Sequence, residues 1–320
     1  MKFTKKNVLP VLAIVSPCYN EELMAKQTIQ EINRWLSKMV ANNTISAQSY
    51  FLIVDDGSSD NTLSIIKSYS NSRIQCLKLS RNYGHQKALL AGMHFVTDKC
   101  NCMISIDFDL QDDLNAMEQM IVNFLQGKEI VYGIRNSRET DTWFKRNSAQ
   151  FFYKFLTKMG ACLKYNHADF RLLSNRVLQE FSKYREINIF LRGFFPLMGF
   201  NSADVFYARN ERAQGTTKYP FFKMFALALD GLTSFSNKPL RIISVLGFLT
   251  FFLTLVLSVW VFVVFLQGKA VPGWASIMLP IYFIAGTQLL CLGIIGEYIS
   301  KIYVESKSRP HYHVECHITS

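Results

Sequence analysis

The stretch Ile104–Asp113, ISIDFDLQDD, places a short apolar run directly before four carboxylates and one amide. The apolar part is typical of the end of a buried strand. Unpaired carboxylates repel one another and are costly to remove from water, so a buried strand rarely ends on so much uncompensated charge. A hard divalent cation would supply the compensation, because the alternating oxygen donors of Asp107, Asp109 and Gln111 suit Mg²⁺ or Mn²⁺. The alternative is an acidic loop that only caps the following helix.

Short apolar runs alternate with helical patterns on both sides of this stretch. Strands are predicted at residues 11–16, 51–54, 74–79, 103–106 and 130–134. Helices are predicted between them, the first running to about residue 39 and the others over residues 61–70, 86–95 and 114–126. This alternation indicates an α/β fold with a mostly parallel sheet that is covered by helices on both faces.

Polar motifs follow four of the predicted strands. They are PCYNEE at residues 17–22, DDGSSDNT at 55–62, SRNYGH at 80–85 and the acidic stretch itself. In parallel sheets ligands bind beyond the carboxyl ends of the strands, so these motifs are expected to form one site. The chain has no G-x-G-x-x-G, no G-x-x-x-x-G-K-[ST] and no G-x-S-x-G motif, which argues against dinucleotide oxidoreductases, P-loop enzymes and α/β-hydrolases.

Two uncharged runs near the C-terminus indicate a membrane protein. The chain carries a net charge of +11, yet its mean hydropathy is +0.10 because residues 242–268 and 270–296 contain no charged side chain. As helices, runs of this length would rise about 40 Å, enough to cross a bilayer core of about 30 Å. Lysines and arginines flank the pair, whereas the turn between the runs carries only Lys269. The positive-inside rule then predicts a multi-pass protein of the cytoplasmic (inner) membrane with both termini in the cytoplasm.

Two further stretches combine basic and apolar residues at helical spacing, near residues 143–160 and 220–235. Amphipathic basic helices can lie in the membrane interface, although the first of these could equally pack on the domain.

The seven cysteines form no C-x-x-C pair, which fits free thiols in a reducing compartment. The tail after Arg309-Pro310 contains three histidines and is predicted to be disordered.

The ordered motifs resemble those of family 2 glycosyltransferases with the Rossmann-like GT-A fold. More narrowly, the chain resembles polyprenyl-phosphate glycosyltransferases: the bactoprenol glucosyltransferases and, more remotely, the dolichyl-phosphate mannose synthases. ADFRL at residues 168–172, GTTKY at 215–219 and the two uncharged runs share in the resemblance. It implies a cytoplasmic catalytic domain at residues 1–235 that includes the interface helices, a membrane domain at 236–305 and a cytoplasmic tail at 306–320.

The resemblance also implies residue roles. The residues expected to bind the nucleotide sugar are Pro17, Tyr19, Glu21, Val54, Asp56, Asp107 and Arg135. Arg212 and Lys218 match a basic pair that binds phosphate, and Asp107, Asp109 and Gln111 would hold the metal. Asp169 is the candidate catalytic base, or else a residue that orients the acceptor or pairs with Arg171. This chain has Ala168 where glycine is common in the bactoprenol subgroup.

The function expected from the resemblance is inverting transfer of a sugar to undecaprenyl phosphate at the cytoplasmic membrane face. The expected donor is UDP-glucose, which supplies glucose. The partners would be the nucleotide sugar, the polyprenyl phosphate and the membrane, in a homotetramer and without nucleic acid. A processive polysaccharide synthase usually carries a Q-x-x-R-W motif after the metal site; here the similar residues Gln30–Trp35 have the wrong spacing and precede it. A nucleotidyltransferase would share a metal–nucleotide site but needs no spans, and a non-catalytic membrane scaffold needs no acidic motif.

Overall fold

The computed structural model describes residues 9–135, 167–184, 186, 191–208, 238–267 and 273–319. These residues fall into two compact units. The first unit contains the described residues up to 208 together with 309–319, and the second contains those from 238 to 308. The predicted interface helices near 143–160 and 220–235 lie outside the described residues.

The first unit is built on a single sheet with helices between its strands. Its strands are β1 (Leu12–Cys18), β2 (Tyr50–Asp55), β3 (Ile74–Leu79), β4 (Cys102–Ser105), β5 (Ile130–Arg135), β6 (His167–Ser174), β7 (Ser202–Tyr207) and β8 (Val314–Ile318). Its helices are α1 (Glu22–Ala41), α2 (Thr62–Tyr69), α3 (His85–Val96), α4 (Leu114–Leu125), α5 (Asn175–Phe181) and α6 (Leu191–Leu197). The five strands and four helices that the sequence predicts up to residue 135 are all present, within about two residues at each end.

The strands follow the order β7-β5-β6-β4-β1-β2-β3-β8 across the sheet. Strands β4, β1, β2 and β3 run parallel, as do β5 and β7. Strand β6 is antiparallel to β4 and β5, and β8 is antiparallel to β3. The sheet is therefore mixed and mostly parallel, which confirms the predicted α/β fold.

Alternate residues of the central strands enter two separate hydrophobic cores. Leu12 and Ile14 of β1 pack in the core that α1 covers, whereas Ala13 and Val15 pack in the core that α3 covers. This explains why β1 and β2 are uniformly apolar instead of alternating, since both faces of these strands are buried. Helix α3 lies so close to the sheet that a Cβ on Gly92 would be 2.3 Å from Cγ1 of Val15.

The prediction of a disordered C-terminal tail is wrong. Strand β8 pairs with β3, with Cys76 opposite Ile318. The Ser80 backbone N–H also donates a hydrogen bond to the His313 carbonyl (3.0 Å). Sequence pattern misses β8 because its side chains are mostly exposed, so no apolar alternation marks it. The strand covers an edge of the sheet that would otherwise present unpaired backbone groups.

The second unit contains helices α7 (Lys238–Leu266) and α8 (Trp274–Ser306). Within the described residues, one helical segment, Phe283–Ser306 in α8, is long and apolar enough to cross a membrane. It overlaps the second predicted span, and the first predicted span falls mainly within α7. More than half of the Phe248 side chain in α7 and of the Leu289 side chain in α8 is exposed.

Candidate active site

The loops after β1 and β2 are joined into one structure at the carboxyl edge of the sheet. The Asn20 backbone N–H donates to Oγ of Ser58 (3.0 Å), and the Ser59 N–H donates back to Oδ1 of Asn20 (2.9 Å). The Glu21 N–H donates to Oγ1 of Thr62 at the start of α2 (2.9 Å). The PCYNEE and DDGSSDNT motifs therefore shape a common surface, as predicted from their positions after parallel strands.

Asp56 fixes the loop after β3 to this surface. Its two carboxylate oxygens accept hydrogen bonds from the backbone N–H groups of Tyr83 and Gly84, both at 2.8 Å. Burial raises the pKa of Asp56, against the effect of these two donors. Gly57 has φ +71°, and a Cβ there would lie 2.6 Å from the carbonyl carbon of Arg81. The DDG sequence thus holds a close crossing of two loops that a larger residue would push apart.

The residues predicted to line the nucleotide pocket differ in accessibility. Tyr19 is exposed and Glu21 is half-buried, so both can meet a ligand at this edge. Pro17 is buried within β1. Val54 is fully buried in the core beneath α3, so its side chain supports the floor of the surface.

The acidic stretch is held from both ends. Oγ1 of Thr28 in α1 donates a hydrogen bond to the Phe108 carbonyl (2.8 Å). At the other end, the carboxylate of Asp113 caps α4 by accepting from the Asn115 N–H (2.9 Å). Helix capping therefore accounts for Asp113, and it leaves Asp107 and Asp109 to be explained.

His85 connects two carboxylates, those of Asp107 and Asp169, which are more than sixty residues apart in the sequence. Nε2 of His85, at the start of α3, lies 3.6 Å from Oδ1 of Asp107 and 3.7 Å from Oδ2 of Asp169. Burial raises the pKa of Asp107; the charge of His85 opposes this shift, and the nearby carboxylates of Asp169 and Asp109 add to it. The GHQ sequence after β3 and the ADFRL sequence of β6 thus meet beside the acidic stretch.

Asp169 lies between two arginines. Its Oδ1 accepts from Nη2 of Arg171, and its Oδ2 accepts from Nε (3.1 Å) and Nη2 (2.8 Å) of Arg192 in α6. Burial acts to raise the pKa of Asp169, but the two guanidinium groups outweigh burial and hold this pKa well below its usual range. Asp169 is therefore an ion-paired carboxylate, in line with the predicted alternative that it pairs with Arg171.

Asp112 forms a second polar group with Arg135 and Tyr207. Oη of Tyr207 donates to Oδ1 of Asp112 (2.5 Å), and Nε of Arg135 donates to Oη of Tyr207 (3.2 Å). Burial and the charge of Asp107 raise the pKa of Asp112 to about 6. Gly133 of β5 leaves room for the Phe170 ring, which packs edge-on against Tyr207 with ring centroids 5.1 Å apart.

The structure brings three of the predicted site residues, Asp107, Arg135 and Asp169, into connected polar groups at one edge of the sheet. Arg212 and Lys218 lie outside the described residues. Sequence reasoning gave no role to His85, although its motif follows β3 at the correct edge. It also missed Arg192, for which no motif is evident.

The residues present fit a divalent cation. Asp107 and Asp109 offer hard oxygen donors, and Oδ2 of Asp112 is buried without a hydrogen-bond partner in the described part of the chain. Among the described residues no three His, Cys, Asp or Glu side chains form a complete metal site. The assignment of Asp107, Asp109 and Gln111 to the metal stays a prediction.

Comparison with known proteins assigns the family. The profile of "Glycosyl transferase family 2" matches residues 13–187, and that of the "GtrB C-terminal hairpin" matches residues 238–302. The glycosyltransferase YkoT of Bacillus subtilis is 46% identical, with 97% of this chain and 93% of that protein aligned. The bactoprenol glucosyl transferase of Shigella phage SfX is 33% identical, with 94% and 97% aligned.

Among solved structures, the mannosyltransferase PcManGT of Pyrobaculum calidifontis, in complex with GDP-mannose and Mn²⁺, aligns over 70% of each chain with a TM-score of 0.42 and 14% identity. The family assignment rests on the sequence matches and not on this structural similarity. These matches span the carboxyl-edge loops, Asp107, Asp169 and the helical hairpin. The chain belongs to glycosyl transferase family 2, and it is a glycosyltransferase.

Proposed function

We propose that this glycosyltransferase moves a sugar from a nucleotide diphosphate to a polyprenyl phosphate, with inversion at the anomeric carbon. The observation that carries the proposal is the approach of Asp107 and Asp169 to the same imidazole of His85. The Asp107 side presents carboxylates suited to a metal-bound diphosphate, and the Asp169 side presents one half-exposed arginine, Arg192, suited to a second phosphate. Two anionic substrates could therefore meet at this edge of the sheet.

The names of the relatives support both the sugar and the acceptor. Several proteins of about 33% identity, from Shigella phages and Escherichia coli, are named bactoprenol glucosyl transferases or homologues of them. The hairpin at residues 238–302 also matches a family named after GtrB. We therefore propose glucose from UDP-glucose as the transferred group and undecaprenyl phosphate as the acceptor.

The chemistry exchanges one bond for another at the anomeric carbon. An oxygen of the acceptor phosphate attacks this carbon, and the bond to the nucleotide diphosphate breaks on the opposite face. The acceptor monoester has a second pKa of about 6, so at neutral pH it is mostly a dianion and needs little help from a base. Mg²⁺ or Mn²⁺ held by Asp107 and Asp109, with Gln111 nearby, would stabilise charge on the departing diphosphate. Arg212 and Lys218 are proposed as further phosphate ligands.

The pairing of β8 with β3 supports a two-span topology. Strand β3 precedes the helical hairpin in the sequence and β8 follows it, yet the two strands belong to one sheet. The chain between them must therefore cross any membrane an even number of times. Helices α7 and α8 have 29 and 33 residues, each long enough for one crossing. Both termini would then lie on the same side, proposed to be the cytoplasm.

The test is transfer of label from a panel of nucleotide sugars to undecaprenyl phosphate by membranes that contain the protein. We expect UDP-glucose to label the extracted lipid, and we expect Asp109→Asn to abolish the labelling. Label in a long polymer would indicate a processive synthase instead. Formation of a nucleotide sugar from a nucleoside triphosphate would indicate a nucleotidyltransferase. Partner binding without any turnover would indicate a scaffold. The homotetramer implied by the resemblance stays a prediction for sedimentation or mass measurement.

A further inference from the structure

The polar group around Asp169 is asymmetric in its exposure to solvent. The side chain of Arg171 is completely buried, that of Asp169 is 7% exposed and that of Arg192 is 45% exposed. One carboxylate thus lies between two guanidinium groups, so these three side chains together carry one more positive than negative charge. Because Arg171 cannot be reached by a ligand, the accessible part of this positive charge is on Arg192.

Arg171 serves the fold. Its Nη1 donates to the Leu191 carbonyl (3.0 Å), and its guanidinium lies over the Phe195 ring, 5.0 Å from the centroid. Leu191 is the first residue of α6 and directly precedes Arg192. Arg171 therefore fixes the backbone at Leu191, where α6 begins. The carboxylate of Asp169 fixes the side chain of the next residue, Arg192.

Arg192 is held in one orientation next to the candidate donor site. Both of its contacts with Asp169 use the Nε and Nη2 edge of the guanidinium. The Asp169 oxygen that accepts them, Oδ2, is also 3.7 Å from Nε2 of His85, whose other neighbour is Asp107. A half-exposed arginine fixed along one edge is suited to bind a phosphate, because the planar fork keeps its geometry and its charge.

We propose that Arg192 binds a phosphate group of a substrate and that Asp169 is the positioning residue that orients it. The assignment rests on the proposed function for the identity of the substrates. The acceptor monophosphate is the expected ligand, because the carboxylates of the acidic stretch are suited to a metal-bound donor diphosphate. The donor diphosphate offers the same chemistry, and the measurements below separate the two sources.

The first measurement compares the KM values of Arg192→Gln and Arg192→Lys with those of the wild type. A charge-assisted hydrogen bond to phosphate is worth about tenfold or more in binding, so KM for polyprenyl phosphate should rise by at least about tenfold in Arg192→Gln. KM for the nucleotide sugar should stay within about twofold. Arg192→Lys should recover only part of the loss, since an ammonium group cannot bind Asp169 along two nitrogens.

Arg176→Gln is the matched control. Arg176 is also an ion-paired arginine, 3.1 Å from Glu129, and its side chain is 71% exposed. It lies in α5, beyond the opposite end of β6 from Asp169, and its substitution should leave both KM values unchanged. A rise in the nucleotide-sugar KM of Arg192→Gln alone would assign the phosphate to the donor. Unchanged KM values for both substrates in Arg192→Gln would overturn the proposal.

A double-mutant cycle tests the positioning role of Asp169. If Asp169 acts through Arg192, then adding Asp169→Asn to Arg192→Gln should reduce kcat/KM by less than about twofold further. An independent loss of several orders of magnitude in kcat in that background would make Asp169 a catalytic base and overturn its positioning role. Because Asp169→Asn also leaves the buried Arg171 without its carboxylate partner, circular dichroism and thermal unfolding must show that the variants fold. If they do not, the Arg192 single variants alone decide whether Arg192 binds phosphate.

Direct binding separates this proposal from the proposed function. The purified full-length protein in detergent is titrated with a short polyprenyl monophosphate, with the matching polyprenol and with UDP. If the wild type transfers no sugar to polyprenyl phosphate, the proposed function fails. Weaker binding of the monophosphate or of UDP to Arg192→Gln than to the wild type would still support the Arg192 assignment. Equal binding of both probes to the two proteins would reject it.

Discussion

At the scale of single residues, Asp112 is a carboxylate that the fold keeps away from water. Its side chain is 1% exposed, and its pKa is raised to about 6 although Tyr207 and Arg135 lie beside it. The folded chain therefore holds the Asp112 proton more tightly than the unfolded chain, in which the pKa is about 3.9. The free energy of unfolding should therefore fall as the pH rises from about 4 to 6. At pH 7 the loss, relative to low pH where Asp112 is protonated in both states, is about 3 kcal/mol.

Asp112→Asn should accordingly raise the melting temperature at pH 7, because Asn keeps an oxygen to accept from Tyr207 and removes the buried charge. The gain should shrink towards pH 4, where wild-type Asp112 is also neutral. Thermal unfolding at both pH values, in the presence of a chelator, measures the difference. A lower melting temperature for Asp112→Asn at pH 7 would mean that the ion pair with Arg135 stabilises the protein more than burial destabilises it.

The metal role of the acidic stretch is a second prediction at this scale. Asp109→Asn should lower kcat by several orders of magnitude without unfolding the first unit, and excess chelator should abolish turnover until Mg²⁺ or Mn²⁺ is restored. Asp113→Asn is the matched control, because Asn is an equally good helix cap and should leave activity nearly unchanged. Full activity of the wild type in excess chelator would reject the metal.

At the scale of secondary structure, the contact of α3 with the sheet sets the position of His85. Gly92 lies where α3 crosses β1, and an added methyl group would overlap Val15 and meet Cγ2 of Val54 at 3.0 Å. Gly92→Ala should therefore destabilise the protein by about 1–3 kcal/mol through overpacking, in spite of the higher helix propensity of alanine. Chemical denaturation measures the change.

Val15→Ala provides the control for this contact. By itself the substitution leaves a cavity and destabilises the core, but it also removes the methyl group that collides with an alanine at position 92. The double variant should then be more stable than the sum of the two single effects predicts. Simple additivity would mean that α3 shifts away from the sheet and that the close contact is not limiting.

The elements that the sequence predicts well are those with an internal signal. Strands β1 to β5 are apolar runs bounded by turn residues, and the helices between them repeat every three to four residues, so both could be located. Strands β6, β7 and β8 lack such a signal. Most side chains of β7 and all five of β8 are not buried, because both strands lie at edges of the sheet.

The residues of the candidate site also divide into those with a sequence signal and those without one. Asp107, Asp109 and Asp169 could be proposed as site residues from the sequence because they belong to short motifs. The meeting of His85 with Asp169 depends on antiparallel β6, and the pairing of Asp169 with Arg192 depends on α6, since Arg192 follows Asp169 by 23 residues. Sequence spacing holds no information on such contacts, since they arise only when the sheet forms.

At the scale of the whole molecule, the topology can be tested by labelling. A membrane-impermeant thiol reagent added outside intact cells, after permeabilisation of any outer membrane, should react with Lys269→Cys in a background without native cysteines. Lys223→Cys and Lys307→Cys should react only after the cytoplasmic membrane is opened. Labelling of either of these two positions from outside would contradict cytoplasmic termini. Labelling of only one of them would contradict the proposed even number of crossings.

Strand β8 also sets the order in which the protein can be completed during synthesis. More than two hundred residues, including both hairpin helices, separate β3 from the strand that covers its edge. At translation rates of about 5–20 residues per second, the edge of β3 stays open for on the order of ten seconds or more after it leaves the ribosome. During this time the open edge could pair with another nascent chain. A chain released by a ribosome that stalls within the hairpin would lack β8, so its β3 edge would stay uncovered. Such incomplete chains should aggregate more readily than the complete protein.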